Sequence, residues 1–333
     1  MATRVACFAD ASVPPSGTVA PRIIHGDGPD GPVSNPVSNP KTLTRYLSRV
    51  AASRANGPTR LAAGTRSITI KLIPVRFQGD PRLPTDPATA LARLTSDANS
   101  VRNYYLEQSN SRISITAQAL PTVTIPYGAP GCNIDEWTPN ANAAAGINTL
   151  PAGTMLMYYW PALDDCAWLG LAELDGPHAW INDGFERITV AHEIGHLLGA
   201  GHARSKVCTD GTSAVAFSAN CSQQREYGDP FDVMGGDPTG SLNHMTASHK
   251  LDIGAFDVAD IQEATATGRF AIAPIEAAPS ATPRALFIGR TPSDNFVIES
   301  RRALTTQFDA FAPSDPVVNG VLVHEVAAGD PWR

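Results

Sequence analysis

The stretch "ITVAHEIGHLLGAGHA" (residues 188–203) carries three histidines and one glutamate inside an otherwise apolar run. Titratable side chains are unusual at positions where a buried helix favours apolar residues. His192 and His196 are four residues apart, which places both rings on one helical face, about one turn from each other. Two imidazoles in this arrangement can bind one zinc ion. The stretch therefore predicts a metal-binding helix.

The residues that follow predict how a third ligand reaches the same ion. Gly199 stands where the helix would end, and glycine can adopt the positive φ that turns the chain sharply there. Such a turn would bring His202 back toward the first two rings. Three neutral imidazoles leave one position of a tetrahedral zinc ion open for water, which is typical of catalytic rather than structural sites.

The glutamate of this stretch predicts the chemistry. Glu193 follows His192 directly and would project beside the ion rather than bind it. A carboxylate in that position can take a proton from a water molecule at the metal. We therefore predict one catalytic Zn²⁺ held by His192, His196 and His202, with Glu193 as general base and acid in hydrolysis.

Other acidic residues and histidines are weaker candidates for metal ligands. Glu226 lies at a conceivable distance for the glutamate ligand of a different zinc class, but His202 already fills that position. His244 and His249 are five residues apart and do not share a helical face, so we expect them at the surface or in the core. The acidic stretch at 25–32 lacks the spacing of a calcium loop. A structural calcium ion elsewhere would leave no visible pattern.

The pattern His-Glu-x-x-His-x-x-Gly-x-x-His resembles that of the metzincin metallopeptidases. "YGDPFDVMGG" (227–236) is similar to the methionine-containing turn of that clan, the Met-turn. The resemblance implies that Met234 lies beneath the three imidazoles without binding the ion. The sequences of that turn, of "LNHMTASHKLDIG" and of "CAWLGLAEL…HAWIN" resemble those of the gametolysin family of secreted peptidases. The resemblance covers roughly residues 66–326.

The sequence departs from some metzincins after the methionine. Gly235 follows Met234 and no tyrosine stands two residues after it. Metzincins that use such a tyrosine as an extra ligand or oxyanion stabiliser are therefore poor guides here. Tyr227 is one candidate for that role, and solvent or a core position for Tyr227 are the alternatives.

The resemblance implies an α+β fold: a metzincin-like zinc peptidase domain with a mixed twisted sheet, an active-site helix and a Met-turn, followed by a small all-β region. It implies a secreted zinc metalloendopeptidase that hydrolyses extracellular or cell-wall proteins or glycoproteins. The alternative is a catalytically idle, peptidase-like adhesion or binding protein. The intact Glu193 argues against that alternative, because an idle site needs no general base.

Three segments are predicted along the chain. Residues 1–65 form a Pro/Gly-rich arm with a short helix at 41–56, a possible remnant of a pro-segment. Residues 66–256 form the catalytic domain, with strands at 67–77, 111–120 and 154–161 and one helix over 87–110. That helix would bury a set of apolar residues, namely Leu91, Leu94, Val101, Tyr105 and Leu106. Residues 257–333 form a β-rich region with strands near 284–290, 295–302 and 319–326, which is incomplete if the chain is a fragment.

Composition excludes several classes of protein. The net charge is −7 and no run of basic residues exceeds two, so no nucleic-acid footprint is visible. No apolar stretch approaches the roughly 20 residues that cross a bilayer. The first residues, "MATRVACFADASVPP", lack the apolar core of a signal peptide. This fits a signal that has been removed, a sequence that is a fragment, or a protein that stays inside the cell. A low charged fraction of 17% nevertheless suits a secreted protein, so we expect an extracellular location.

Five cysteines are present and none forms a C-x-x-C pair, which argues against a zinc ribbon. Cys208 and Cys221 bracket a polar loop that a disulfide would close, and Cys132 could pair with Cys166 in an oxidising compartment. Four buried free thiols are the alternative. Cys7 is the odd cysteine: the resemblance raises a latency role, in which its thiolate blocks the metal, and a simple free thiol is the other reading.

Overall fold

The computed structural model describes residues 4–7, 65–128, 131–208, 223–236, 241–291, 294–303 and 308–326. Of the predicted arm at 1–65, the structure describes only residues 4–7 and 65; the acidic stretch at 25–32 and the helix at 41–56 lie outside the described residues. Helices and a mixed sheet give the protein an α+β fold, which confirms the predicted class. The chain divides into two compact units, one of residues 1–11 with 54–200 and one of residues 12–53 with 201–333.

The two compact units are defined by contacts between residues. The three predicted segments are defined by changes in composition and predicted secondary structure along the sequence. The predicted boundaries at 65/66 and 256/257 therefore stay predictions. Each unit is described by itself below. Among the described residues, no helix is long and apolar enough to cross a membrane.

The first unit is built on a mixed sheet with strand order β1-β6-β7-β5-β2-β3, in which β4 also pairs with β2. Strands β3, β2, β5 and β7 run parallel to one another, whereas β6 pairs antiparallel with both β7 and β1. The strands are β1 (Arg4–Cys7), β2 (Arg66–Phe77), β3 (Ile113–Ala119), β4 (Val123–Ile125), β5 (Thr154–Tyr159), β6 (Gly170–Glu173) and β7 (His178–Ile181).

Strand β2 lies inside this sheet because its sequence suits a strand that is covered on both faces. Its central residues, "LIPV" (72–75), are apolar, and Leu72, Ile73 and Val75 are at most 1% exposed. The predicted strands at 67–77, 111–120 and 154–161 correspond to β2, β3 and β5. Short strands β6 and β7 escaped sequence reasoning, since turn residues and mixed polarity surround them.

The single helix predicted over 87–110 is wrong, because the chain forms α1 (Pro87–Thr95) and α2 (Val101–Gln108) instead. The first helix ends at Thr95, and the second begins after Ser100, whose hydroxyl accepts a hydrogen bond from the backbone N–H of Asn103 at 3.3 Å and so caps α2. The break also shifts the buried face, which includes Tyr104 while Leu91 and Leu106 are only partly buried.

Helix α3 (Ile134–Ala144) packs one tryptophan into an aromatic cluster beneath the sheet. The ring centroids of Trp137 lie 4.7 Å from Phe77 and 5.3 Å from Trp160. A disulfide between Cys132 and Cys166, with Cα atoms 4.9 Å apart, borders this cluster. The structure thus pairs the two cysteines that the sequence offered as partners.

The second unit contains a four-stranded sheet of order β10-β11-β12-β13 and a two-stranded hairpin, β8-β9. One short helix, α5 (Ala247–Asp252), packs beside the larger sheet. The strands are β8 (Ser205–Val207), β9 (Gln223–Arg225), β10 (Ile261–Glu263), β11 (Ala285–Thr291), β12 (Asp294–Glu299) and β13 (Leu322–Val326). The strands predicted near 284–290, 295–302 and 319–326 correspond to β11, β12 and β13.

Buried charges connect this larger sheet with the segment before it. The guanidinium of Arg301 bonds the carboxylates of Glu299 and Asp309 at 2.9 and 2.8 Å, and all three side chains are fully buried. Arg301 also donates to the carbonyl of His244 at 3.1 Å, and Glu299 accepts the N–H of Ala247 at 2.5 Å. The sheet therefore holds the residues that lead into α5.

Candidate metal centre

The first part of the candidate metal-binding motif, His192 to His196, lies on α4 (Arg187–Leu197). Glu186 occupies the N-cap but its side chain makes no capping bond. Asp183 fixes the turn just before the helix: its carboxylate accepts the N–H groups of Phe185 and Glu186 at 3.1 and 3.2 Å and the hydroxyl of Thr189 in the first turn. Burial raises the pKa of Asp183, while these hydrogen bonds act in the opposite direction.

Helix α4 is buried on almost every side, which explains why its sequence lacks a polar face. The hydroxyl of Tyr105 in α2 donates to the carbonyl of Ala191 at 2.7 Å. The N–H of Asp175, in the turn between β6 and β7, donates to the carbonyl of His196 at 2.8 Å. Contacts at both the middle and the end thus fix the helix against its own unit.

His192, His196 and His202 form a buried group whose nitrogen ligand atoms all lie within 4.8 Å of one another. The rings of His192 and His196 are 4.7 Å apart between centroids, as the spacing of four along a helix predicts. Among the described residues, this is the one group of three or more histidines, cysteines or carboxylates that could hold a metal ion.

Gly199 provides the turn that the sequence predicts after the helix. Its φ is +105°, a conformation that residues with a side chain rarely adopt. The N–H of Ala200 returns to the carbonyl of Gly195 at 2.9 Å, and the Ala200 carbonyl lies 2.8 Å from Nδ1 of His196. That carbonyl can only accept a hydrogen bond, so Nδ1 of His196 carries the hydrogen and Nε2 offers its lone pair to a metal.

Glu193 is fully buried, and neither of its carboxylate oxygens has a hydrogen-bond partner among the described residues. Burial raises the pKa of Glu193 well above its usual range, and the negative charge of Asp183 adds to this effect. A buried carboxylate without partners is rare, because desolvation is not compensated. Such a group calls for a functional explanation, and a divalent cation close by would supply the missing stabilisation.

Gly170 in β6 makes room for this carboxylate. A Cβ atom at position 170 would stand 2.2 Å from Oε1 and 2.7 Å from Cδ of Glu193. The backbone of β6 thus passes directly against the glutamate side chain. Gly170 was not predicted as a site residue, since a single glycine in a strand carries no signal of what approaches it.

His202 lies beyond the helix and has its own surroundings. Nδ1 of His202 is 3.0 Å from Oε1 of Glu226, and the His202 ring lies 4.2 Å from the ring of Tyr227 between centroids. Sequence reasoning considered Glu226 only as a metal ligand and Tyr227 as an oxyanion stabiliser. The structure instead places both against the third histidine, a relationship across 24 residues that no sequence spacing reveals.

The predicted Met-turn is held by hydrogen bonds to the segment after His202. The carbonyl of Met234 accepts the N–H of Ala203 at 2.9 Å, and the N–H of Asp229 donates to the Ala203 carbonyl at 3.2 Å. Met234 is fully buried. Gly235 leaves space for close backbone packing, since a Cβ there would stand 1.8 Å from the carbonyl oxygen of Asp229.

Asp232 fastens the same turn from inside. Its carboxylate accepts the N–H groups of Met234 and Thr246 at 2.8 and 2.7 Å and contacts Nδ1 of His249 at 2.8 Å. The charge and hydrogen bond of His249 lower the pKa of Asp232 against the opposing effect of burial. In return, Asp232 raises the pKa of His249. His249 and His244 are both buried, which places them in the core rather than at the surface.

Cys208 is disulfide-bonded. Cys221, its predicted partner, lies outside the described residues, so that pairing stays a prediction. The backbone of Cys7 pairs with Gly170 in the β1–β6 ladder.

The three histidines fit a zinc ion in their chemistry. Nitrogens that share one tetrahedral zinc ion at about 2.0–2.1 Å are roughly 3.4 Å apart, and the three ligand nitrogens here all lie within 4.8 Å of one another. The group is buried, and its ligand atoms are all imidazole nitrogens, which can bind a metal in their neutral form. Glu193, whose carboxylate is also buried, directly follows His192 in the sequence. A search of protein-family models and of curated proteins finds no match to this chain.

Proposed function

We propose that this protein is a secreted, zinc-dependent endopeptidase of the metzincin type. The observation that carries the proposal is a single short segment that combines three clustered, buried histidines with a buried glutamate lacking hydrogen-bond partners. Three imidazoles match catalytic zinc sites, which keep a fourth position open. The resemblance of the sequence around the motif to the gametolysin family also supports the proposal.

In this mechanism, a zinc ion bound by His192, His196 and His202 would polarise the scissile carbonyl and lower the pKa of a water molecule. Glu193 would take a proton from the attacking water as the water oxygen adds to the carbonyl carbon. When the carbon–nitrogen bond breaks, Glu193 delivers the proton to the departing amine. No covalent bond forms between protein and substrate, so no nucleophilic serine or cysteine is needed.

The sheet supports binding of an extended peptide next to Glu193. Strand β6 packs against α4, and Gly170 at its start touches the Glu193 side chain. A substrate strand along the outer edge of β6 would add backbone hydrogen bonds and pass close to the general base. In the structure, that edge is paired with β1 of the same chain, antiparallel and with Cys7 opposite Gly170.

The disulfides support the proposed extracellular location, where extracellular or cell-wall proteins would be the available substrates. Cys132 pairs with Cys166, and Cys208 is also oxidised. Such bonds persist in oxidising compartments and are rare in reducing ones.

The decisive experiment compares wild type with Glu193→Gln on a mixed peptide library, with and without a chelator. We expect the variant to lose nearly all turnover while it retains one zinc ion per chain by elemental analysis. Glu186→Gln is the matched control, because Glu186 is an exposed glutamate at the start of the same helix. Wild-type turnover by Glu193→Gln would refute the mechanism. A zinc-loaded wild type that cleaves nothing would support the adhesion-protein alternative.

A further inference from the structure

We infer that Glu226 is a positioning residue for the third metal ligand, His202, and that Tyr227 assists it. This inference rests on the proposed zinc site and deepens it. It assigns to Glu226 the task of holding one imidazole in ligating orientation rather than binding the ion itself.

His202 needs support that the other two histidines obtain from their helix. His192 and His196 belong to α4, whose backbone fixes their Cβ positions, and the Ala200 carbonyl orients the ring of His196. His202 lies three residues past Gly199, in a segment with no regular secondary structure. A side chain on such a segment is free to rotate unless neighbouring groups fix it, and a metal ligand gains affinity when its orientation is set in advance.

The hairpin after His202 brings that support back along the chain. Strands β8 and β9 are antiparallel, with Ser205 opposite Arg225, so residues just after β9 return to residues just before β8. Glu226 and Tyr227 are the first two residues after β9. Further bonds fix the return: the N–H of Gly228 donates to the Arg225 carbonyl at 3.2 Å, and the N–H of Gly236 to the Tyr227 carbonyl at 2.9 Å.

Glu226 contacts the edge of the imidazole. Its Oε1 lies 3.0 Å from Nδ1 of His202, within hydrogen-bonding distance. A carboxylate accepts, so Nδ1 carries the hydrogen and Nε2 presents its lone pair. This is the tautomer that a metal requires, and a carboxylate on the far nitrogen also makes the ligating nitrogen more basic.

Tyr227 contacts the same ring from its face. The two ring centroids are 4.2 Å apart and the planes are tilted by 46°. A hydrogen bond at the edge restricts rotation of the imidazole, and an aromatic neighbour restricts the remaining tilt. Two adjacent residues therefore define the orientation of His202, and a third holds the following backbone, since Ala203 bonds Met234.

The exposure of Glu226 argues against a mainly structural role. Its side chain is 55% exposed, whereas the side chain of His202 is 1% exposed. Solvent screens a carboxylate that is more than half exposed, so its bond to His202 contributes little to folding. Removal of Glu226 should therefore leave the stability of the metal-free fold nearly unchanged, and its effect should appear in metal binding.

The experiment measures zinc affinity of the full chain by competition with a chromophoric chelator, using zinc alone as the probe. We expect Glu226→Ala to weaken zinc binding by about 10- to 100-fold. Glu226→Gln keeps an acceptor oxygen and should recover part of that loss. Glu136→Ala is the matched control: it removes an exposed glutamate from α3 and should bind zinc as wild type does. The visible spectrum of the cobalt-substituted protein should change in Glu226→Ala and stay unchanged in the control.

The outcomes separate this inference from the proposed function. If Glu226→Ala binds zinc as tightly as wild type, the positioning role is overturned while the zinc site stands. If Glu226→Ala lowers the thermal midpoint of the metal-free protein as much as that of the zinc-loaded protein, the residue is structural and the inference is again overturned. If wild type binds no zinc, the proposed function and the inference fall together.

Discussion

The α-carbon of Gly170 lies against the carboxylate of Glu193, so closely that a Cβ atom at position 170 would overlap Oε1 at 2.2 Å. A strand backbone and a helix side chain are therefore matched to each other at the proposed reacting centre. The contact fixes where the proton acceptor can point. It also means that the smallest possible substitution in β6 acts directly on Glu193.

We predict that Gly170→Ala lowers kcat/KM for peptides by about 100-fold, because displacement of a catalytic group by about 1 Å can have an effect of that size. Zinc content should stay at one ion per chain, since the atoms nearest to a Cβ at position 170 belong to Glu193 and not to a proposed zinc ligand. Steady-state kinetics with elemental analysis checks both. Gly268→Ala is the control, because the space around Gly268 admits a methyl group. Full activity of Gly170→Ala would show that Glu193 can act from another position.

Removal of β1 tests whether the outer edge of β6 receives the substrate. Deletion of residues 1–10 should raise kcat/KM on the order of tenfold, because a competing strand with a few backbone hydrogen bonds of about 0.5–1.5 kcal/mol each is lost. Cys7→Ser keeps the strand and removes only the thiol. An equal rise in that variant would assign the effect to the cysteine, and no rise in either would argue against this edge as the substrate site.

The sequence predicts the motif helix, its terminal turn and strands β2, β3 and β5, because each depends on local spacing or on the pattern of apolar residues. The interruption between Thr95 and Val101 was missed, since the apolar positions on either side fit a single helix. The roles of Gly170 and Glu226 could not be predicted. Both arise from contacts between elements distant in the chain, and neither residue type is unusual where it stands.

The buried guanidinium of Arg301 gives a prediction for stability. Arg301→Met should lower the free energy of unfolding by about 3–5 kcal/mol, because Glu299 and Asp309 would remain buried without their cation. Chemical denaturation at neutral pH measures the change. Arg302→Ala is the control, since the next arginine is exposed and should shift stability by no more than about 0.5 kcal/mol. Similar values for the two variants would contradict the role of the buried charges.

Substitution of Lys250, in contrast to substitution of Arg301, should raise the free energy of unfolding, by an amount that depends on pH. Burial, reinforced by the positive charge of Arg301, lowers the pKa of Lys250 to about 7. Between that value and the pKa of about 10.4 in an unfolded chain, the unfolded state binds more protons, so stability rises with pH. Lys250→Met should therefore stabilise the fold by on the order of 1 kcal/mol at or below pH 7. The gain should shrink toward pH 10.

Thermal unfolding of wild type and Lys250→Met across pH 6–10 tests this slope. Parallel curves for the two proteins would contradict the lowered pKa. These buried charges also mark a limit of sequence reasoning. "NFVIESRR" predicts a strand by its apolar run, but Arg301 and Arg302 are adjacent and chemically identical there. Their opposite exposure follows from the pairing of β12 with its neighbours and from Asp309 further along.

Hydrogen bonds fix the residues just before α5 and at its start to Glu299, Arg301 and Asp309. This has a practical consequence for the design of recombinant fragments. A fragment ending at 256 follows the change in sequence texture, yet it would strip the His244 backbone of both its acceptor and its donor bonds. It would also release the N–H of Ala247. Recombinant fragments intended to retain the methionine turn should extend beyond Asp309. Shorter ones are expected to expose the hydrophobic side of α5 and to aggregate.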